Sequence, residues 1–264
     1  MPVKMDMTAY ILAKDEEANI HKCLESLAPY DIPVVLLDSG SSDRTIAIAQ
    51  TFSFCAIQPY DYRDHATAYN FITTCAASHT VMILDADMEI TPALWNELCE
   101  MKSLRCDWDL AVAPVLMCVE GRPLRFGSLY PPKAIVFKSG PAYFVPSGHG
   151  ERVRHGFTGV RTRSPVVHND LKPYSHYLLS QVRYGQNLVR RIQYKQASVK
   201  DRIKAWTPLG ALVYPFLSYI IYGGFLSGRR GILYCIDRVI AALIQWRVAQ
   251  SVSLHKGISH EQRF

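Results

Sequence analysis

Apolar positions in the first hundred residues alternate between short β-type runs and helical patterns. The runs MTAYILA, VVLLDS, FCAIQ and VMILDAD predict four strands, because each is short, apolar and bounded by polar or turn residues. The segments between and after them predict helices, namely EEANIHKCLESL, RTIAIAQTF, HATAYNFITTCAA and PALWNEL. This βαβαβαβα order predicts an α/β fold with a mainly parallel sheet and helices on both of its faces.

The pattern changes after the fourth helix. Between about residues 110 and 167 the sequence contains β-type runs that are broken by Gly and Pro, namely LAVAPVLMCV, KAIVFK and PAYFV. These runs predict further strands, and loops over the side of the sheet that carries the active site. From Tyr174 the chain becomes helical and basic, through QVRYGQNLVRRIQYKQ. We therefore expect two domains, residues 1–170 and a helical extension, residues 171–264.

The extension contains an uncharged run, LGALVYPFLSYIIYGGFL, from Leu209 to Leu226. As a helix, these 18 residues would extend about 27 Å, close to the roughly 30 Å of a bilayer's hydrocarbon core. Pro215, Gly223 and Gly224 interrupt the run, and basic residues flank it on both sides, which disfavours a span under the positive-inside tendency.

The following segment, GILYCIDRVIAALIQW, predicts an amphipathic helix. Its apolar face carries Ile232, Ile236, Val239, Ile240, Leu243 and Ile244, and its polar face carries Asp237, Arg238 and Gln245. We interpret the two segments as a hairpin that lies in or dips into the inner leaflet of a membrane. The alternative is an ordinary buried pair of helices.

Charge is divided unevenly along the chain. Residues 1–150 hold 11 Lys or Arg and 18 Asp or Glu, a net charge of −7, whereas residues 151–264 hold 18 and 5, a net charge of +13. The acidic half suits a cation and its ligand, and the basic half suits anionic lipid, phosphate or nucleic acid. Of these partners we expect an anionic membrane surface and no nucleic acid. Seven scattered cysteines without a CxxC pair, and a start without signal-peptide features, favour a reducing cytosolic location.

Acidic residues follow three of the predicted strands. Asp15, Glu16 and Glu17 come after the first strand, Asp38 after the second, and Asp85 and Asp87 after the fourth. Any one cluster alone could be a helix cap or a solvated turn, but the carboxyl ends of parallel strands form one rim, where ligands bind. Two carboxylates one residue apart repel each other unless a cation lies between them. Oxygen ligands of this kind suit Mg²⁺ or Mn²⁺, held in part by the phosphates of a substrate.

The phosphate-binding loops of two large enzyme classes are absent from the sequence. No GxGxxG follows the first strand and no GxxxxGK[ST] occurs anywhere, which disfavours dinucleotide enzymes and P-loop enzymes.

An α/β nucleotide site with a D-x-D at a strand end resembles the family 2 inverting glycosyltransferases of GT-A fold. AKDEEANIHKCLESL, VVLLDSGSSDRTIAIA and AYNFITTCAASHTVMILDADMEITPAL are similar to that family's segments, over residues 8–98. Weaker similarity in GHGERV, VVHND and the apolar tail resembles the bacterial members that build lipopolysaccharide core or related envelope glycans.

The resemblance implies roles for individual residues. It implies that Ala13 and Glu16 contact the nucleotide, Asp38 the base and Asp85 the ribose or the metal ion, that Asp87 binds the metal ion, that Asn70 borders the donor pocket, and that His168 binds the metal ion or the diphosphate. A lone His is also commonly structural.

Three positions depart from the family's pattern. Asp15 replaces an Asn, Tyr69 replaces the Arg before Asn70, and Met88 replaces the Glu after the D-x-D. Without the Arg, one cation for the leaving phosphate is missing, and more of that task falls on the metal ion.

An inverting transfer needs one carboxylate to accept the proton of the attacking hydroxyl. Between residues 110 and 170 the acidic candidates for this base are Glu120, Glu151 and Asp170. Glu151 in PSGHGERV resembles the family's V-H-E segment with a Gly inserted, which implies that it is the base. The alternative is a solvated Glu paired with Arg152 or Arg154.

These expectations combine into one hypothesis. We expect a peripheral enzyme on the cytoplasmic face of the inner membrane that moves a sugar from a nucleotide-sugar donor, such as a UDP-hexose, to a lipid-linked glycan acceptor, with Mg²⁺ or Mn²⁺ as cofactor. One alternative is a nucleotidyltransferase on a related fold, although the acidic AKDEEAN replaces the Gly-rich basic loop of such enzymes. The other is a non-catalytic membrane adaptor that retains a nucleotide-binding domain.

Overall fold

The computed structural model describes residues 6–103, 108–147, 150–194 and 196–261. These residues form two compact units. The first consists of the described residues up to Pro123 together with Tyr130–Leu171, and the second of Leu124–Leu129 together with the described residues from Lys172 onward. The expected division into domains at residues 170 and 171 stays a prediction.

The first unit alternates strands and helices and then continues with short strands. Its elements are β1 Met7–Ala13, α1 Ile20–Leu27, β2 Val34–Asp38, α2 Thr45–Ala49, β3 Cys55–Pro59, α3 His65–Cys75, β4 Thr80–Asp85, β5 Met88–Glu89, α4 Pro92–Ser103, β6 Leu110–Ala113, β7 Val115–Val119, β8 Arg122–Pro123, β9 Lys133–Lys138, β10 Phe144–Ser147, β11 Gly150–Val153, β12 Gly159–Arg161 and β13 Val166–His168.

The main sheet of the first unit has the strand order β12-β6-β9-β4-β1-β2-β3. Strands β1 to β4 are parallel to one another, as are β6 and β12, and β9 runs antiparallel to both β4 and β6. The prediction of an α/β fold with a mainly parallel sheet is therefore confirmed.

Side-chain alternation along the central strands builds a separate apolar core on each face of this sheet. Ile11 and Leu84 are neighbours in the sheet and pack with residues of α1, α2 and α4. Leu12, Leu37 and Ile83 point to the opposite face and pack with α3. Because strand positions alternate in direction, Asp85 lies on the α3 face, in register with Leu12. The predicted cover of helices on both faces is thus present.

The second unit is helical. Its elements are α5 Tyr174–Gln193, α6 Val199–Trp206, α7 Gly210–Phe216, a π-helical turn Leu217–Ile221, a 3-10 turn Gly224–Ser227 and α8 Arg229–Glu261. Helices α5 and α8 pack closely at Gly185, because this residue has no side chain. A β-carbon built there would lie 2.8 Å from Val248 Cβ. No helix in the described part of the chain has both the length and the apolar character needed to cross a membrane.

Helix α8 has the two faces that the sequence predicts, and its polar face is the one that packs on α5. Asp237 accepts a hydrogen bond from Tyr174 (2.7 Å), and Gln245 donates to Gln181 (2.9 Å). On the predicted apolar face, by contrast, Ile232 and Ile236 are each 47% exposed. Val239, Ile240 and Ile244 on the same face are half-buried, so the choice between a membrane hairpin and an ordinary buried pair of helices stays a prediction.

A small second sheet and a hairpin complete the first unit. The sheet has the order β5-β13-β7-β8 and pairs His168 with Met88. The hairpin pairs β10 with β11. It is tied to α3 by Asn70, whose side-chain amide donates to Phe144 O (3.0 Å) and accepts from Phe144 N–H (2.8 Å).

We predict that Asn70→Ala lowers the free energy of unfolding by about 1–3 kcal/mol, because it leaves the part-buried N–H of Phe144 without its acceptor. Urea denaturation of the full chain measures the change. Thr74→Ala, at an exposed position of the same helix, is the control and should stay within about 0.5 kcal/mol. Equal losses in both variants would show that the contact with β10 contributes nothing.

Candidate functional site

The first carboxylate of the D-x-D motif is bound by two side chains of the chain itself. Asp85 ends β4 on the α3 face, where Tyr69 donates a hydrogen bond to its Oδ1 (2.9 Å). Lys133, the first residue of β9, donates to the other oxygen, Oδ2. The antiparallel register of these strands agrees with this contact, because the pairs 80–138, 81–137 and 82–136, extended by three positions, would place 133 opposite 85. Both oxygens of Asp85 are thus engaged.

The contact between Asp85 and Lys133 is an ion pair. Burial on its own would raise the pKa of Asp85, but the adjacent Lys133 ammonium and the Tyr69 hydroxyl hold it well below its usual value. Burial would lower the pKa of Lys133, and the Asp85 carboxylate instead raises it well above its usual value. Both groups therefore stay charged at neutral pH.

The second carboxylate has different surroundings. Asp87 Oδ2 lies 3.4 Å from His168 Nε2, while Asp87 Oδ1 is buried and has no hydrogen-bond partner. Burial raises the pKa of Asp87; His168 opposes this increase, and the carboxylates of Asp85 and Asp170 add to it. A buried carboxylate oxygen without a partner is costly unless a cation or a donor reaches it. Asp87 Oδ1 is therefore the atom of this motif that a cation or a hydrogen-bond donor would satisfy.

These residues fit a divalent cation only in part. A carboxylate suits Mn²⁺ or Mg²⁺, and such ions commonly rest on one or two protein carboxylates plus substrate phosphates, whereas an imidazole is the less usual ligand for them. Within the described ranges, however, no group of three or more His, Cys, Asp or Glu side chains is placed to hold an ion. Asp87 and His168 would hold the cation together with phosphates. Asp85, predicted as a further ligand, instead has its oxygens on Tyr69 and Lys133.

The residues predicted to contact the nucleotide lie in two loops that bond to each other. Ala13 ends β1, and its carbonyl accepts from Ser39 N–H (3.0 Å). Glu16 donates its backbone N–H to Thr45 Oγ1 (2.7 Å). Asp38 is buried and accepts from the N–H groups of Gly40 and Ser41. The three residues come together at the carboxyl ends of β1 and β2, as expected, and their contacts with a nucleotide stay predictions.

Asn19 joins this rim to the segment after β13, a link that the sequence did not reveal. It is almost fully buried, and its side-chain amide donates to Glu16 Oε2 (2.8 Å) and Asp170 Oδ1 (3.0 Å). Its Oδ1 accepts from Leu171 N–H (2.7 Å). The only sequence signal was its place in AKDEEANIHK, which assigns it no partner 151 residues away.

The predicted base, Glu151, belongs to β11, where its backbone pairs with Pro146 of β10. Its side chain lies outside the described residues, so its role as base stays a prediction. The hairpin that carries it is the one that Asn70 holds through Phe144. Asn70 therefore acts on the backbone of this hairpin, and its predicted place beside the donor is not tested.

Lys133 and the bond from Tyr69 to Asp85 are the features that sequence reasoning missed. From the sequence alone, Tyr69 indicates only that the Arg of the family's pattern is replaced at this position. In the structure it is fully buried, and the Lys133 ammonium lies 5.7 Å from the centre of its ring. A cation is thus present next to Asp85, supplied from a strand 48 residues further along the chain.

The segment that carries these carboxylates matches a known family model. Residues 8–103 match the model for Glycosyl transferase family 2. A TPR repeat-containing protein of Synechococcus elongatus is 31% identical over 88 residues, which cover 33% of this chain and 22% of that protein. The lipopolysaccharide core biosynthesis glycosyltransferase LpsC of Rhizobium meliloti is 28% identical over 121 residues, 43% of this chain and 44% of that protein. The matches thus span less than half of either relative.

One solved structure that shares a partial likeness is glucosyl-3-phosphoglycerate synthase from Mycobacterium tuberculosis, crystallised with Mn²⁺, UDP and glucosyl-3-phosphoglycerate. It is 20% identical, and the match covers 42% of this chain and 44% of that one with a TM-score of 0.35. The sequence match over β1 to α4 is the stronger result, because it includes every residue of the D-x-D motif and of the loops that face it. The similarity of this chain to glycosyl transferase family 2 therefore rests on residues 8–103.

Proposed function

We propose that this protein is an inverting glycosyltransferase that moves a sugar from a nucleotide-sugar donor, such as a UDP-hexose, to a lipid-linked glycan acceptor. The observation that carries the proposal is the buried, unpartnered oxygen of Asp87 beside His168, at the strand ends of a family 2 segment. A cation would satisfy this oxygen, and a nucleotide diphosphate would bring phosphates to share that cation. The relative named for lipopolysaccharide core biosynthesis supports an envelope glycan as acceptor.

The proposed chemistry is a single displacement. Glu151 accepts the proton of the acceptor hydroxyl while that oxygen forms a bond to the anomeric carbon. The bond from this carbon to the donor's phosphate oxygen breaks at the same time, so the configuration inverts and a nucleoside diphosphate leaves. A bound Mg²⁺ or Mn²⁺ would stabilise the negative charge that develops on the diphosphate. Asp87 and His168 would hold that ion, and Asn70 would fix the hairpin that carries Glu151.

We also propose that the second unit binds the protein peripherally to an anionic membrane, at the cytoplasmic face of the inner membrane. Large apolar side chains are exposed on α6 and α7, among them Trp206 (84%) and Leu212 (74%). Exposed basic residues lie between the apolar ones. We call this set the apolar–basic surface: Val199, Lys200, Arg202, Ile203, Lys204, Trp206, Leu212 and Phe216.

Two physical terms favour a lipid surface for this set. Apolar area removed from water contributes about 25 cal/mol per Å², and each Lys or Arg near an anionic bilayer contributes about 1 kcal/mol. The exposed apolar residues of α8, such as Ile232 and Ile236, add to the first term. A lipid-linked acceptor would explain why a transferase carries such a surface.

Asp87→Ala should lower sugar transfer by a factor of about 10² or more, because charge stabilisation at the leaving group is lost with the ion. The measurement is release of nucleoside diphosphate from a panel of nucleotide sugars, with Mn²⁺ and with EDTA. Glu25→Ala, which removes an exposed carboxylate of α1, is the control and should transfer at the normal rate. Normal turnover of the Asp87 variant, or of the unmodified protein in EDTA, would contradict the metal assignment.

Glu151→Gln should reduce transfer by a factor of about 10² while leaving donor affinity unchanged, since a general base acts on the acceptor proton only. Titration calorimetry with the donor and a transfer assay separate the two effects. Glu120→Gln is the matched control from the same region of the chain. If Glu151→Gln transfers normally, the base lies elsewhere, and Asp170 is the next candidate.

Replacing Lys200, Arg202 and Lys204 by Gln should weaken binding to anionic vesicles by a factor of about 10², from roughly 1 kcal/mol per charge. Sedimentation with phosphatidylglycerol and with phosphatidylcholine vesicles at low and high salt measures this. The control changes the exposed cations Lys14, Lys22 and Arg63 of the first unit to Gln. If the unmodified chain stays in solution with anionic vesicles at low salt, the membrane proposal is wrong.

A further inference from the structure

The two carboxylates of the D-x-D motif have unequal partners, and this inequality is the starting observation. Asp85 has one oxygen on the Tyr69 hydroxyl and the other on the Lys133 ammonium. Asp87 has one oxygen near His168 and one buried oxygen without a hydrogen bond. The chain thus supplies an ammonium to Asp85, whereas the nearest basic group to Asp87 is the imidazole of His168.

The Lys133 ammonium is held in place from two sides. Its side chain is only 12% exposed and that of Asp85 is 27% exposed, so water screens the pair weakly. On the other side the ammonium lies 5.7 Å from the centre of the fully buried Tyr69 ring, within the range of a cation–π contact. The cross-strand register between β4 and β9 brings the two charges together.

We propose that Lys133 is a built-in cation of this site, which neutralises Asp85 and keeps that carboxylate out of the coordination shell of the divalent ion. Asp87 and His168 then hold the ion together with the phosphates of the donor. The inference rests on the proposed function, because it concerns how that same site takes up its metal ion. Lys133 is a positioning residue in this scheme, since it acts through Asp85.

The proposal has a direct consequence for binding of the metal alone. An ion near Asp87 competes with the Lys133 ammonium for the negative charge of Asp85, because only Ala86 separates the two acidic residues. With the ammonium removed, Asp85 becomes a second charged ligand. With both charges of the pair removed, the net charge beside Asp87 is the same as in the unmodified protein.

The test is equilibrium binding of Mn²⁺ to the full chain, followed by the paramagnetic resonance signal of the free ion. Lys133→Met keeps the length of the side chain without its charge, and should raise Mn²⁺ affinity by about tenfold or more. Lys133→Arg keeps the charge and should bind Mn²⁺ as the unmodified protein does. The double variant, Lys133→Met with Asp85→Asn, should return to within about threefold of the unmodified protein.

Two results would overturn the inference. One is a Lys133→Met variant that unfolds at the normal temperature yet binds Mn²⁺ no better than the unmodified protein. The other is a double variant that binds Mn²⁺ tenfold or more weakly than the unmodified protein, since Asp85 would then be a ligand already. If the buried charge of Asp85 prevents Lys133→Met from folding, the comparison of the double variant with the unmodified protein still decides. Failure of the proposed function would be seen separately, as Mn²⁺ binding without any binding of nucleotide sugars.

Discussion

The need to balance negative charge at the end of β4 governs the arrangement of the first unit. A buried strand that ends in two carboxylates requires positive charge or hydrogen-bond donors beside them. Tyr69 of α3 and Lys133 of β9 meet this need for Asp85, and His168 of β13 meets it partly for Asp87. The antiparallel strand β9 is thus placed where its first residue compensates a charge. Buried ion pairs add little net stability, so we attribute this one to function.

Much of the fold was predictable because its signals are local. Strands and helices of the first hundred residues follow from hydrophobic periodicity, and their boundaries in the structure differ from the predicted ones by only a few residues. The side of α8 that faces the neighbouring helix was not predictable. Its apolar residues suggested the side that would be buried, yet its polar side faces α5, where Tyr174 donates to Asp237 and Gln181 accepts from Gln245. Periodicity defines the faces of a helix and not which neighbour each face meets.

The candidate site was predictable where it depends on strand ends and not where it depends on pairing between distant strands. Acidic residues after parallel strands must share one rim, which placed Asp38, Asp85 and Asp87 together from the sequence alone. Lys133 belongs to an inserted antiparallel strand, and its register with β4 leaves no trace in either segment. The same holds for Asn19, whose partner Asp170 is 151 residues away.

The polar contacts between α5 and α8 prevent one helix from sliding along the other. Tyr174 meets Asp237 and Gln181 meets Gln245, at sequence offsets of 63 and 64 residues, so the two helices run in the same direction with one fixed alignment. Sliding one helix by a single turn, about 5.4 Å, would separate both pairs at once and leave the buried Gln181 and the half-buried Asp237 without these hydrogen bonds. An apolar contact surface would tolerate such a slip far more easily. The outward side chains of α8 are therefore held at fixed positions relative to α5. A surface that binds them must fit all of these positions at once.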